Sequence, residues 1–219
     1  MSPLTKQPKP KLKKRRVAST KDPESPWAAA RTEQRNARRD TILRAATRCI
    51  NQLGYTGASM AIIARELGLS YNALYHYFES KEEILAQAFF RTHVLLQACV
   101  ERSVTASGSG LSRLLEFVDA FQRLVQEESP PAIALVGHLP EQTLQGLLTR
   151  REKMLQDLQS IVRDGIEDGS VRPTEPALII GFVFGALEGL PYWAYQPDVV
   201  AKSFQTFVLH ALAADTRDR

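Results

Sequence analysis

The sequence predicts an all-α fold, on three observations. From Arg31 onward, apolar residues recur at three-to-four spacing over successive segments. No convincing run alternates with period two, so strands are not expected. Serines stand where helices begin, and glycines or prolines stand where they end.

The first helix is expected from about Arg35 to Leu53. Ile42, Ala45, Ala46, Cys49, Ile50 and Leu53 form its inward stripe, and Gly54 stops it. Ser59 caps a short helix, Met60–Leu67, that ends at Gly68. Ser70 caps the next, Tyr71–Phe78. Ser80 with Glu83 makes a capping box that opens a long helix from Lys81 to about Val104. After the break Ser107–Gly110, helices are expected at Leu111–Glu127, Pro131–Gly137, Glu141–Glu167, Glu175–Tyr195 and Asp198–Ala213. The breaks at Ser129–Pro131, His138–Pro140, Gly169–Pro173 and Gln196-Pro197 separate them.

Ahead of these lies a segment of different composition. Residues 1–34 are read as a disordered basic arm, since the first 26 hold five prolines and almost nothing apolar. The net charge of +4 conceals an asymmetry: residues 1–40 carry 12 basic and four acidic side chains, so the rest of the chain is net acidic. Lys11–Arg16 reads as a solubilising tail, a nucleic-acid arm or an anionic-membrane patch. No apolar stretch follows those charges, so no secretory signal is expected and the chain is placed in the cytoplasm. Two cysteines, Cys49 and Cys99, neither staple a secreted scaffold nor build a structural zinc site.

Residues 59–78, SMAIIARELGLSYNALYHYF, are the most specific feature. Two short helices meet at Leu67-Gly68-Leu69-Ser70, where Gly68 supplies a positive φ and Ala64 permits a close crossing. Ile63, Leu67, Leu74 and Phe78 point inward against the first helix. The result is a three-helix helix-turn-helix whose second helix suits a major groove about 12 Å wide. Its outward side shows Tyr71, Asn72, Ala73, Tyr75, His76 and Tyr77, without a charged side chain. Asparagine pairs with adenine, alanine touches a thymine methyl, and Tyr and His bond phosphates or bases. Ser59 and Lys81, with Met60 and Ser70, stand at helix starts, where backbone N–H groups attract phosphate.

The stretch ILRAATRCINQLGYTGASMAIIARELGLSYNALYHYFESKEEIL, residues 42–85, resembles the DNA-binding domain of the TetR family of bacterial transcriptional regulators. The resemblance implies an all-α homodimer: a DNA-binding domain at 35–82, and a helical ligand-binding and dimerisation domain at 83–219. It implies a repressor of a palindromic operator in double-stranded DNA, released by a small molecule. It also makes Ser59 and Lys81 phosphate contacts. Tyr71-Asn72 departs from the family, many of whose members have a basic residue and then a small one at these places. Residues 41–91 hold five basic and four acidic side chains, a thin supply for phosphate neutralisation. Lys9–Arg16 with Arg35, Arg38 and Arg39 are therefore expected to add phosphate or minor-groove contacts.

The most apolar stretch is residues 177–195, interrupted by Glu188 and Pro191 and so not read as a membrane span. Gly181, Gly185 and Gly189 recur every fourth residue, for core packing or, as the resemblance favours, a dimer seam shared with Phe204, Phe207 and Val208. Phe89, Phe117, Phe121, Phe182 and Trp193, with His93 and His138, read as core or as the lining of an apolar cavity. Few charges among them favour a small hydrophobic or amphipathic ligand. The chain has no HExxH, no GxxxxGK[ST] and no Gly-x-Ser-x-Gly, and its four histidines are dispersed. No catalytic residue, metal site or cofactor is expected. The rival reading is an architectural, sequence-neutral DNA-binding protein without an inducer.

Overall fold

The computed structural model of the protein describes residues 26–189 and 197–214. Over these the helices follow the start and stop signals in the chain. They are α1 (Pro26–Gly57), α2 (Met60–Glu66), α3 (Tyr71–Tyr75), α4 (Lys81–Thr105), α5 (Gly110–Glu128), α6 (Glu141–Glu167), α7 (Pro176–Gly189) and α8 (Pro197–Leu212). A 3-10 turn, Ile133–His138, stands between α5 and α6 where an α-helix was expected. Pro130, Pro131 and Gly137 leave too little room there for a full helical ladder. Among the described residues the only β pairing is one isolated bridge, Val171 to Ala213. No described helix is long and apolar enough to cross a membrane.

The expected disorder through residue 34 is corrected over 26–34, which are helical. Pro26 suits a first helical position, Ala28–Ala30 are strong helix formers, and Thr32 donates its hydroxyl to the Ala28 carbonyl at 3.0 Å. Among the described residues, 26–40 belong to one compact unit and those from Thr41 onward to another. In the second unit α4 runs unbroken through the expected domain boundary at 82/83.

Two glycines perform the turns expected of them. Gly54 breaks α1 at φ +73°, and Gly68 follows α2 at φ +63°. The Gly68 N–H donates to the Arg65 carbonyl at 3.0 Å and the Leu69 N–H to that of Ala64 at 2.9 Å, the paired closure of a Schellman motif. Ser59, Ser70 and Ser80 accept from the backbone N–H three residues on. Glu83 accepts from the N–H of Glu79 at 2.6 Å, one residue ahead of the cap.

Burial falls into two apolar clusters. One joins Ile42, Ala46, Cys49 and Ile50 of α1 to Ile63, Leu74, Phe78, Ile84 and Leu85, and takes in Leu135 and Leu139 from the 3-10 segment. Leu53, expected inward, is exposed at the end of α1, where Gly54 turns the chain away. The other lies among α4–α8 and is centred on Phe117, Phe121, Phe184, Leu158 and Ile161. Within it α5 crosses α6 closely. Gly110 approaches so closely that a Cβ there would lie 2.2 Å from the Gly165 nitrogen.

Candidate nucleic-acid interface and ligand cavity

The start of α3 places Tyr71, Asn72, Tyr75 and His76 outward and Leu74 inward, as a single helical turn dictates. Tyr71 donates its hydroxyl to that of Tyr75 at 3.0 Å, with ring centroids 4.5 Å apart. That bond holds two aromatic side chains as one unit. Within this hydrogen-bonded pair the Tyr75 phenol is raised above its ordinary value. Between Ser70 and Phe78 the chain has no lysine, arginine or carboxylate, so what this face offers is uncharged hydrogen-bonding groups and a methyl.

Two expected groove residues turn elsewhere. Met60 is only 9% exposed and packs in the core, because it shares the i, i+3, i+4 stripe of Ile63 and Ala64. Tyr77 is half-buried against the same core, since α3 ends at Tyr75 and the turn rotates it inward. Ala73 is half-buried, while Ser59 and Ser70 are exposed, their oxygens accepting the cap bonds. Lys81 stands at the N-terminus of α4, but its ammonium donates to the Tyr55 carbonyl and sits 3.8 Å over the Tyr55 ring.

Tyr55 is therefore a junction. Its hydroxyl donates to Glu82 and its ring stacks on His138 at 4.0 Å and 8°. Burial and then the Glu82 carboxylate push the phenol up to about 12, and the same bond lowers Glu82. His138, expected in a cavity, is consumed by this stack.

The cavity itself occupies about 590 Å³ among α4–α7, the 130–136 segment and the end of α1. Phe89 and His93, Phe121, Leu147 and Met154, and Phe184 and Leu187 form its walls. Phe89, His93 and Phe121 stand where the sequence placed them. Phe117 is buried behind the wall, 6.1 Å from Phe121 and 6.5 Å from Phe184 between ring centroids. Phe182 is corrected outright: it is 71% exposed, nearly opposite Phe184 around α7. Trp193 lies outside the described residues.

The sequence reading missed the cavity's polar groups. Arg151 donates to both Glu188 oxygens, at 2.6 and 3.0 Å, and its guanidinium lies 4.8 Å over the Phe184 ring. Burial raises the Glu188 carboxyl, against the opposing pull of Arg151. An acid inside an apolar helix was the available signal, since such a group requires a basic partner. Asn51 was also missed. Its amide donates to the Pro130 carbonyl at 2.9 Å and its oxygen accepts from the Ala132 N–H at 3.0 Å, tying α1 to the cavity wall.

The expected seam divides. Gly181 and Gly185 are exposed, with nothing within 4 Å of an added Cβ, and Gly189 is half-buried. Phe207 is 65% exposed, and Leu178 and Val199 join Phe182 on apolar surface of α7 and α8. Phe204 and Val208 are corrected: they lie in the chain's own core, because positions 204, 208 and 212 make the inward row of α8.

Two family models match the chain. Residues 42–88 match the one described as bacterial regulatory proteins, tetR family, and residues 107–212 match the tetracyclin repressor-like C-terminal domain. A relative from Bacillus subtilis (strain 168), the uncharacterized HTH-type transcriptional regulator YhgD, is 25% identical over 152 residues, covering 64% of this chain and 75% of its own. The crystal structure of the regulator PfmR from Thermus thermophilus superposes with a TM-score of 0.68 at 27% identity, over 77% of this chain and 97% of its own. A structure of AibR in complex with isovaleryl coenzyme A and operator DNA gives 0.68 at 23%, over 80% of this chain and 98% of its own.

Proposed function

Because the chain belongs to the TetR family of bacterial transcriptional regulators, DNA-binding proteins with a helix-turn-helix, we propose that it is a repressor that binds a palindromic operator as a homodimer and is released by a small apolar or amphipathic ligand. One observation carries the coupling. The 130–139 segment contributes Pro130–Ile133 and Val136 to the cavity wall, and Leu135 and Leu139 to the core that supports α2 and α3. A ligand that displaces the wall thereby acts on the recognition helix through Leu135, Leu139 and the Asn51 bonds. Operator and ligand affinities are then reciprocally linked.

In this reading Tyr71, Asn72, Tyr75 and His76 meet base edges and phosphates, and the N-terminus of α4 meets a phosphate. Ser59 and Ser70 flank them, and Ala73 reaches a thymine methyl. Lys9–Arg16 with Arg35, Arg38 and Arg39 supply the phosphate neutralisation that residues 41–91 lack. The exposed apolar residues of α7 and α8 pair with their copies. A two-fold dimer presents two recognition helices to half-sites about 34 Å apart. The AibR complex, which holds an acyl-coenzyme A and DNA, supports a ligand with an apolar portion.

Operator selection on the purified full chain tests the proposal. It should return an inverted repeat that outcompetes random DNA at fixed salt. Equal affinity for both would favour the architectural reading instead.

A further inference from the structure

We propose that the cavity takes an uncharged amphiphile whose single hydroxyl or carbonyl group is held between Arg151 and Glu188, with its hydrocarbon body against Phe89, Phe121, Leu147 and Met154. The proposal rests on the reading of this cavity as the ligand site and narrows it to a class of head group.

The charge balance of the lining carries it. Of the surrounding elements, α1 contributes Asn51 and Gln52, α4 contributes Thr92 and His93, and α5 and the 130–136 segment contribute no ionisable group. Arg151 and Glu188 neutralise each other across two hydrogen bonds. Burial, with Arg150 nearby, lowers His93 and favours its neutral form. Arg150 itself is directed at the Phe90 ring, 5.4 Å away, and does not line the cavity. The lining is therefore formally neutral. A ligand carboxylate would confront Glu188, and an ammonium would confront Arg151. Either must break a partly buried pair or remain unpaired.

The hydrogen-bond capacity left over suits a neutral head. A guanidinium has five N–H donors and this one spends two on Glu188; a carboxylate has about four acceptor positions and this one has two taken. The pair still donates to a carbonyl, or donates to and accepts from a hydroxyl. Contact with Phe184 fixes the guanidinium plane, so these directions are set before a ligand arrives.

Calorimetric titration of the full chain near neutral pH with three ten-carbon probes, decan-1-ol, decanoate and decyltrimethylammonium, tests this. Decan-1-ol should bind at least about tenfold more tightly than either ion, about 1.4 kcal/mol. Glu188→Gln, which leaves Arg151 uncompensated, should shift the ratio toward decanoate by about tenfold or more. A wild-type ranking with either ion equal to or ahead of the alcohol overturns the proposal, whether or not the variant folds. Leu147→Trp, or Thr92→Trp should the first not fold, fills the cavity and separates the two levels. A reversed ranking whose binding is lost on filling refutes the head group alone. No binding by any probe, or binding indifferent to filling, refutes the ligand site itself and this inference with it.

Discussion

Replacing Gly110 with alanine is expected to cost about 2–7 kcal/mol of folding stability. The added Cβ would lie 2.2 Å from the Gly165 nitrogen, 2.3 Å from its Cα and 2.6 Å from the Ile161 carbonyl oxygen. Ordinary contact requires roughly 3.5 Å, so the start of α5 must move about 1 Å from α6. All three obstacles are backbone, and no rotamer relieves them. The movement also strains the Gly110 N–H bond to Asp168 at 2.7 Å and the Leu111 N–H bond to Ser170 at 3.1 Å. Overpacking costs roughly 1–3 kcal/mol, and two weakened bonds, one to a carboxylate, add roughly 2–4 kcal/mol. The better helix propensity of alanine returns up to about 1 kcal/mol. The balance should lower Tm by about 10 °C in a chain of this size. Urea unfolding and a thermal scan at fixed protein concentration measure it. Gly146→Ala is the control: its added Cβ meets nothing within 4 Å, so it should be neutral or stabilising by up to about 1 kcal/mol. If Gly110→Ala unfolds at the same urea concentration as Gly146→Ala, the reasoning about this crossing is wrong.

The remaining predictions concern pH, assembly and coupling. The Asp168 carboxyl is lowered by its hydrogen bonds with Ser170 and the Gly110 N–H, so its contribution is present above the ordinary value of 3.8 and lost as pH falls through its lowered value. Asp168→Asn should be less stable than wild type at neutral pH and converge with it at strongly acidic pH in urea titrations. A constant gap at every pH would argue against it. Phe207→Glu places a charge on the exposed apolar surface of α8 and should convert the proposed dimer to monomer in sedimentation velocity, with the wild-type chain run alongside as the dimer reference. An unchanged sedimentation coefficient would move the seam elsewhere. In the proposed coupling saturating decan-1-ol lowers operator affinity, and Asn51→Ala should shrink that loss by about fivefold, within the usual ~1–3 kcal/mol of coupling. An undiminished loss would show that the signal bypasses these bonds.

What the sequence disclosed follows from how local each feature is. Serine caps, glycine and proline breaks and the period of the stripes are local, and the breaks at Pro140 and Gly169 suffice to bound α6 at Glu141–Glu167. Met60 was also legible, since its spacing to Ile63 and Ala64 makes it core. The faces of α7 were not. The helix is apolar all round, so spacing alone does not say that Phe184 is buried and Phe182 exposed; only its neighbours decide. The Arg151–Glu188 pair and the two Asn51 bonds span distant parts of the chain and leave no periodic trace.

The junction at residues 130–136 divides the cavity into an end that resists change and an end that tolerates it. Under the proposed coupling, substitutions there, or at Asn51, act on the core beneath α2 and α3 as well as on the ligand, so a ligand preference altered at this end would alter the operator response too. Phe121, Met154 and Phe184 lie in the other apolar cluster, away from Ile50, Leu74 and Leu85. Descendants of this protein that acquire new ligands while keeping their operator should therefore differ first on the α5–α7 side.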